Sequence, residues 1–180
     1  MVINIPYYFQ LEGLDTLSND IALKLIGNQN LFRLLKYEGS NCLDSSLPDV
    51  TEDEMYKMFD HNDDENIRIL FQPWTSVTTT TRKSELRIYL SNINRKSKDN
   101  VVLMELCIGF QVITHVQDSY IDGGISRPVR IMQEVIKILN GQDINKIGVL
   151  TFSPTRNDCG IYKFADMWAG YMFYMYTNTD

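Results

Sequence analysis

A chain of 180 residues with 44% hydrophobic and 11% aromatic content can bury roughly two-thirds of its unfolded surface, which fits one ordinary globular domain spanning residues 1–180. A formal charge of −6 and a pI near 4.9 exclude broad coating of nucleic acid and steering toward anionic membrane. The charge is polarised: residues 44–65 hold nine acidic side chains against the single Lys57, while residues 82–98 are rich in Arg and Lys.

Two N-terminal helices are predicted over residues 16–37. The first is capped by Ser18 and runs to Gly27; the second is capped by Asn28, carries Leu31, Leu34 and Leu35 on one face, and stops at Gly39. An acidic insertion, 44–65, follows. Within it Thr51 and Glu54 form a capping-box signature before a short helix, and "DHNDDEN" reads as a solvated loop. "IRILFQPW" is strand-like until Pro73, which lacks an amide donor and so ends the strand or places it at an edge. The threonine-rich stretch 75–81 is read as an extended loop, an arm that orders on binding.

Alternation then predicts two long antiparallel strands. Leu86, Ile88 and Leu90 alternate with Arg87, Tyr89 and Ser91; after the polar turn "NRKSKDN", Leu106, Ile108, Phe110, Val112 and Thr114 share one face, with Glu105, Gln111 and His115 on the other. Gly123 and Gly124 read as a hinge. From Ser126 to Asn140 runs a helix with Pro128 in its first turn and Asn140-Gly141 as its stop. Val129, Met132, Ile136 and Leu139 make one apolar stripe, and Ile131, Val135 and Ile138 a second, so the helix packs on a sheet with an outer flank available to a neighbouring subunit. "INKIGVLTF" and "MWAGYMFYMYT" supply closing strands. The last is apolar on both faces, and its outer face calls for cover from helices or a second copy. The fold class is therefore α+β: a mostly antiparallel sheet over 67–177 with a long central β-hairpin, one packing helix and N-terminal helices.

Little in the chain suggests chemistry. An EF-hand would need glycine and glutamate where Glu65 and Phe71 stand, so "DHNDDEN" fails as a calcium loop. His61 and His115 lack zinc spacing. Cys107 and His115 lie eight residues apart on one predicted strand, too far to act together, and Cys159 sits in a turn built on Asn157, Asp158 and Gly160. No phosphate-cradling glycine motif appears. No cofactor or metal is expected, and the chain is not expected to be an enzyme. Three separated cysteines (Cys42, Cys107, Cys159) without CxxC predict free thiols in a reducing compartment. "MVINIPYYFQLEGLD" lacks a basic n-region, so a soluble, intracellularly made protein is expected.

The stretches "LKLIGNQNLFRLLKY" and "RPVRIMQEVIKILNGQDINKIGVL", the central hairpin and the terminal aromatic strand together resemble small structural proteins of tailed bacteriophages, in the tail-terminator and head-to-tail connector group. That resemblance spans most of residues 16–177 and implies a virion protein forming a ring, six-fold by analogy. The ring would cap the tail tube or join it to the connector below the portal, with DNA only as passing cargo and no membrane partner. The surface expected to meet other copies, or other neck, portal or tail-tube proteins, comprises Trp74, Thr78, Thr79, Thr80, Arg82, Arg87, Tyr89, Arg95, Lys96 and Lys98. Two other readings stand beside it: an adaptor binding nucleic acid through the Arg95–Lys98 tip, and a hydrolase or transferase using Cys159 or His115.

Overall fold

The computed structural model describes residues 14, 16–73, 82–95, 104–144, 148–152, 160–165 and 168–178. Three helices come first: α1 (Leu17–Leu25), α2 (Gln29–Lys36) and α3 (Glu52–Lys57). The first starts two residues earlier than expected, because Thr16 rather than Ser18 holds the N-cap position, where its hydroxyl donates to Asp20 Oδ2 at 2.9 Å. Asn28 caps α2 as predicted, its Oδ1 accepting the Leu31 amide at 2.8 Å. That helix stops at Lys36, before Gly39 is reached. Thr51 and Glu54 close the capping box of α3.

The acidic segment is anchored to α2 rather than appended to the domain. Gln29 donates to the Val50 carbonyl at 2.8 Å and accepts the Val50 amide at 3.0 Å, and Arg33 donates to the carbonyls of Asp44 and Leu47. Val50, Met55 and Met58 enter the core, while Asp60 and Asp63 stay at the surface and accept turn hydrogen bonds from Asn62 and Asn66. Carboxylates occupied in this way organise a loop; they do not converge on a cation.

The main sheet contains β1 (Ile69–Leu70), β2 (Ser84–Arg95), β3 (Met104–His115), β6 (Asp143–Ile144), β7 (Gly148–Phe152), β8 (Gly160–Ala165) and β9 (Trp168–Asn178). Its order is β1-β2-β3-β9-β7-β6, with β8 also paired to β9. All pairs are antiparallel except β1 with β2, so the expected α+β class and the central β2–β3 hairpin are observed. β9 lies against β3 on one side, while β7 and β8 share its other side end to end. Gly160, expected in a turn, instead opens β8; Asn157 and Asp158 fall outside the described residues.

Two further strands, β4 (Tyr120–Ile121) and β5 (Ile125–Ser126), form a separate hairpin. Gly123 and Gly124, expected as a hinge, are its turn: both have positive φ (86° and 73°), and the Gly124 amide donates to the Ile121 carbonyl at 3.1 Å. L side chains are strained in that region, which is why the turn needs glycine.

Helix α4 (Arg127–Leu139) has Ser126 at its N-cap without a capping hydrogen bond and Pro128 in its first turn. At its end the Gly141 amide, at φ 77°, donates to Leu150 at 2.7 Å, and Asn140 Oδ1 accepts the Phe152 amide at 2.8 Å, so the helix stop also fixes β7. Ile131, Val135 and Leu139 are fully buried. Met132, Ile136 and Ile138 are half-buried against the core, and α4 touches α1 and α2 as well as β3 and β9. The flank expected to await another subunit is thus largely used within the chain.

On the helix side of the sheet, Phe110 and Phe173 stack across β3 and β9 at 4.8 Å, with Phe152 edge-on to Phe173 at 6.3 Å. The opposite side is not bare either: Glu85, Arg87, Cys107, Ile113 and Tyr176 are all buried. There Gly109 pairs with Tyr89, and a Cβ at Gly109 would lie 2.5 Å from the Tyr89 Cζ. Gly109→Val should therefore destabilise by about 1–3 kcal/mol through overpacking. A thermal-unfolding cycle checks this: the loss should shrink when Tyr89→Ala removes the ring, and equal losses in both backgrounds would refute the steric account.

Candidate interaction surface

Two of the expected contact cations are engaged inside the chain. Arg82 donates from Nε to Asp118 Oδ2 at 2.6 Å and from Nη2 to Oδ1 at 2.5 Å, with Glu38 3.6 Å away. Asp118 is 1% exposed and also accepts the Gly39 amide at 2.7 Å. Burial pushes this carboxyl up, yet the hydrogen bonds from Arg82 and Gly39 and the charges of Arg82 and Arg127 outweigh it and hold the group below its ordinary range.

Arg127 completes this knot. Fully buried at the start of α4, it donates to the carbonyls of Leu34 (3.1 Å), Tyr37 (2.7 Å) and Gly39. These carbonyls lie at and just beyond the end of α2, where backbone acceptors lack helical partners and a cation is favoured. Sequence reasoning placed Arg127 in an ordinary first helical turn and passed over Asp118; neither has a local signal, because the partners of both are at least 36 positions earlier, at Arg82 and at the end of α2 and just beyond it.

Arg87 lies in a second buried cluster along one face of β2. Its Nη2 and Nε approach Glu85 Oε2 at 2.8 and 3.0 Å, and Lys83 Nζ approaches Glu85 Oε1 at 2.9 Å. The strand's two-residue period brings these three together. Alternation set Arg87 on the face opposite Leu86 and Ile88, and the structure buries it there with Glu85 and Lys83 as ion partners.

Tyr89 lies over Gly109 and lines a groove of about 310 Å³ with Leu17, Ile21, Phe71 and Leu90. Arg95 ends β2 opposite Met104. Trp74, Thr78, Thr79, Thr80, Lys96 and Lys98 lie outside the described residues, as do Cys159 and the 75–81 loop. Cys42 and Cys107 are free and buried. Cys107 and His115 occupy one strand, about 26 Å apart at strand rise, and His115 Nδ1 accepts the Gln117 amide at 3.3 Å. Among the described residues no group of three or more His, Cys, Asp or Glu could hold a metal ion, and no helix is long and apolar enough to cross a membrane.

Among the described residues, exposed apolar side chains stand on α1 (Leu23), α3 (Tyr56) and β7 (Val149), and more than one stands together in two further places. Leu90 and Ile93, each 39% exposed, stand toward one end of β2; Val116, Tyr120 and Ile125, 49%, 64% and 47% exposed, stand just beyond the other end of the hairpin, on and before β4–β5. The β2–β3 ladder separates them, running from Ser84 opposite Thr114 to Arg95 opposite Met104.

No curated protein and no solved structure matches the chain. The YomW family model matches residues 28–177, from the cap of α2 through most of β9. With that match over most of its length, the chain belongs to the YomW family, a phage-derived family of Bacillus prophage type.

Proposed function

We propose that this protein is a non-catalytic structural component of the phage virion, forming a ring in the neck that caps the tail tube or joins it to the portal connector. The observation that supports this reading is the pair of exposed apolar patches at opposite ends of the β2–β3 ladder. Two different patches on one chain allow a heterologous contact, in which one end of a copy meets the other end of the next and successive rotations close a ring. Six copies follow from the resemblance to neck proteins. The function is geometric: exposed apolar area is withdrawn from water only when the neighbour is in place.

The experiment uses two variants. Ile93→Asp blocks the β2 patch and Tyr120→Asp the β4–β5 patch. The unmodified chain should give closed rings by light scattering and electron microscopy, and each variant alone should remain monomeric. An equimolar mixture should stop at a one-to-one dimer, since only one competent contact remains between the two. A wild-type chain that stays monomeric at every concentration, or variants that still form rings, would refute the proposal.

A further inference from the structure

Away from both patches, at the end of α3, lies a cavity of about 130 Å³ lined by Lys36, Glu54, Lys57, Met58, Asn66 and Arg68. Three of its six lining residues are cationic and one is anionic. The anion is already committed: Glu54 accepts from Lys36 Nζ at 2.7 Å and from the Thr51 amide at 3.0 Å in the capping box. Lys57 is the one cation of the acidic segment. Arg68 is half-buried and is held rigidly, its Nη1 donating to the carbonyls of Glu65 (2.6 Å) and Ile67 (2.9 Å) while its own amide donates to Met58 at 3.0 Å.

Neither Arg68 nor Lys57 forms a salt bridge among the described residues. Arg68 is therefore a positioned, partly desolvated guanidinium whose Nη2 and Nε donors have no acceptor among the described residues. Burial draws its pKa below the ordinary guanidinium value, against the opposing pull of Glu85, Glu38 and Asp63. The carbonyl of Met58, the residue that caps the end of α3, accepts the amides of Arg68 and Ile69.

We infer that this cavity binds a single phosphate group, held by Arg68 and Lys57 with Lys36 behind them. A planar guanidinium fork beside an ammonium is the usual recognition chemistry for such a group. The cavity has room for one tetrahedral oxyanion. Its surroundings also select the source. Glu52, Asp53, Asp60, Asp64 and Glu65 are all exposed on the same segment and repel an extended polyanion, so a free phosphate is favoured over a nucleic-acid backbone.

The test is calorimetric titration of the intact protein with inorganic phosphate, and separately with a single-stranded oligonucleotide. Saturable phosphate binding is expected. It should weaken about tenfold in Lys57→Gln, whose side chain is exposed and whose loss leaves the fold intact, and at least as much in Arg68→Gln, as the loss of one charge-assisted contact implies. The oligonucleotide should bind no more tightly than phosphate itself. Absence of saturation in the wild type, or unchanged affinity in Lys57→Gln, overturns the site; an oligonucleotide that displaces phosphate overturns the free-anion assignment.

Discussion

Arg127→Met lowers the unfolding free energy by about 3–5 kcal/mol, a large share of the roughly 5–15 kcal/mol available to a domain. Methionine keeps much of the volume but none of the donors. The carbonyls of Leu34, Tyr37 and Gly39 then lose their buried partner, and Asp118 loses a nearby positive charge. Each unsatisfied buried acceptor costs about 1–3 kcal/mol. Arg127→Lys should recover only part of the loss, because an ammonium on a flexible stem cannot address three acceptors as a planar fork does. Denaturant unfolding of the three proteins decides it: a loss below about 1 kcal/mol for the methionine variant, or full recovery by lysine, would show that the knot adds little.

Glu85→Gln should be comparably damaging, again about 3–5 kcal/mol, because it leaves Lys83 and Arg87 as buried cations facing a neutral amide. These three side chains are 2%, 8% and 6% exposed for Glu85, Lys83 and Arg87, so solvent offers little relief. The informative control removes all the charge at once. A Lys83→Met, Glu85→Leu, Arg87→Met chain should be far more stable than Glu85→Gln, since well-packed apolar groups often replace a buried ionic cluster at little cost. If chemical denaturation ranks the triple variant below the single one, the cluster contributes net stability and the expectation is wrong. Glu85 is accordingly unsuitable as a probe of surface charge in assembly: changing its sign would disturb folding first.

Local rules carried the fold a long way. Asn28, the Thr51–Glu54 box and Asn140-Gly141 mark helix ends through hydrogen bonds that span only a few positions, so they can be read directly from neighbouring residues. Period-two alternation likewise placed Leu86, Ile88, Phe110 and Val112 on one buried face. The same rule set Arg87, Tyr89 and Ser91 on the other face without saying what covers it, and here residues on both sides are buried. Arg82 and Arg87 were expected at an interface; their partners, Asp118 and Glu85, are visible only once the chain is folded. The exposed patches at Ile93 and Tyr120 were missed for the converse reason. Single apolar residues carry no periodic signal, and only the tertiary arrangement separates a covered one from a bare one.

The position of β9 bears on how the molecule is made. Its neighbour β3 ends at His115, yet the strand that must lie beside it begins only at Trp168. At ribosomal rates of about 5–20 residues per second, β3 waits some 3–10 seconds for that partner. Through that interval a long apolar strand has an unsatisfied side, the condition under which nascent chains pair with the wrong neighbour. In a cell producing many copies at once, the risk of aggregation is concentrated in this pause, and the late-arriving strand that ends it also locks the middle of the sheet.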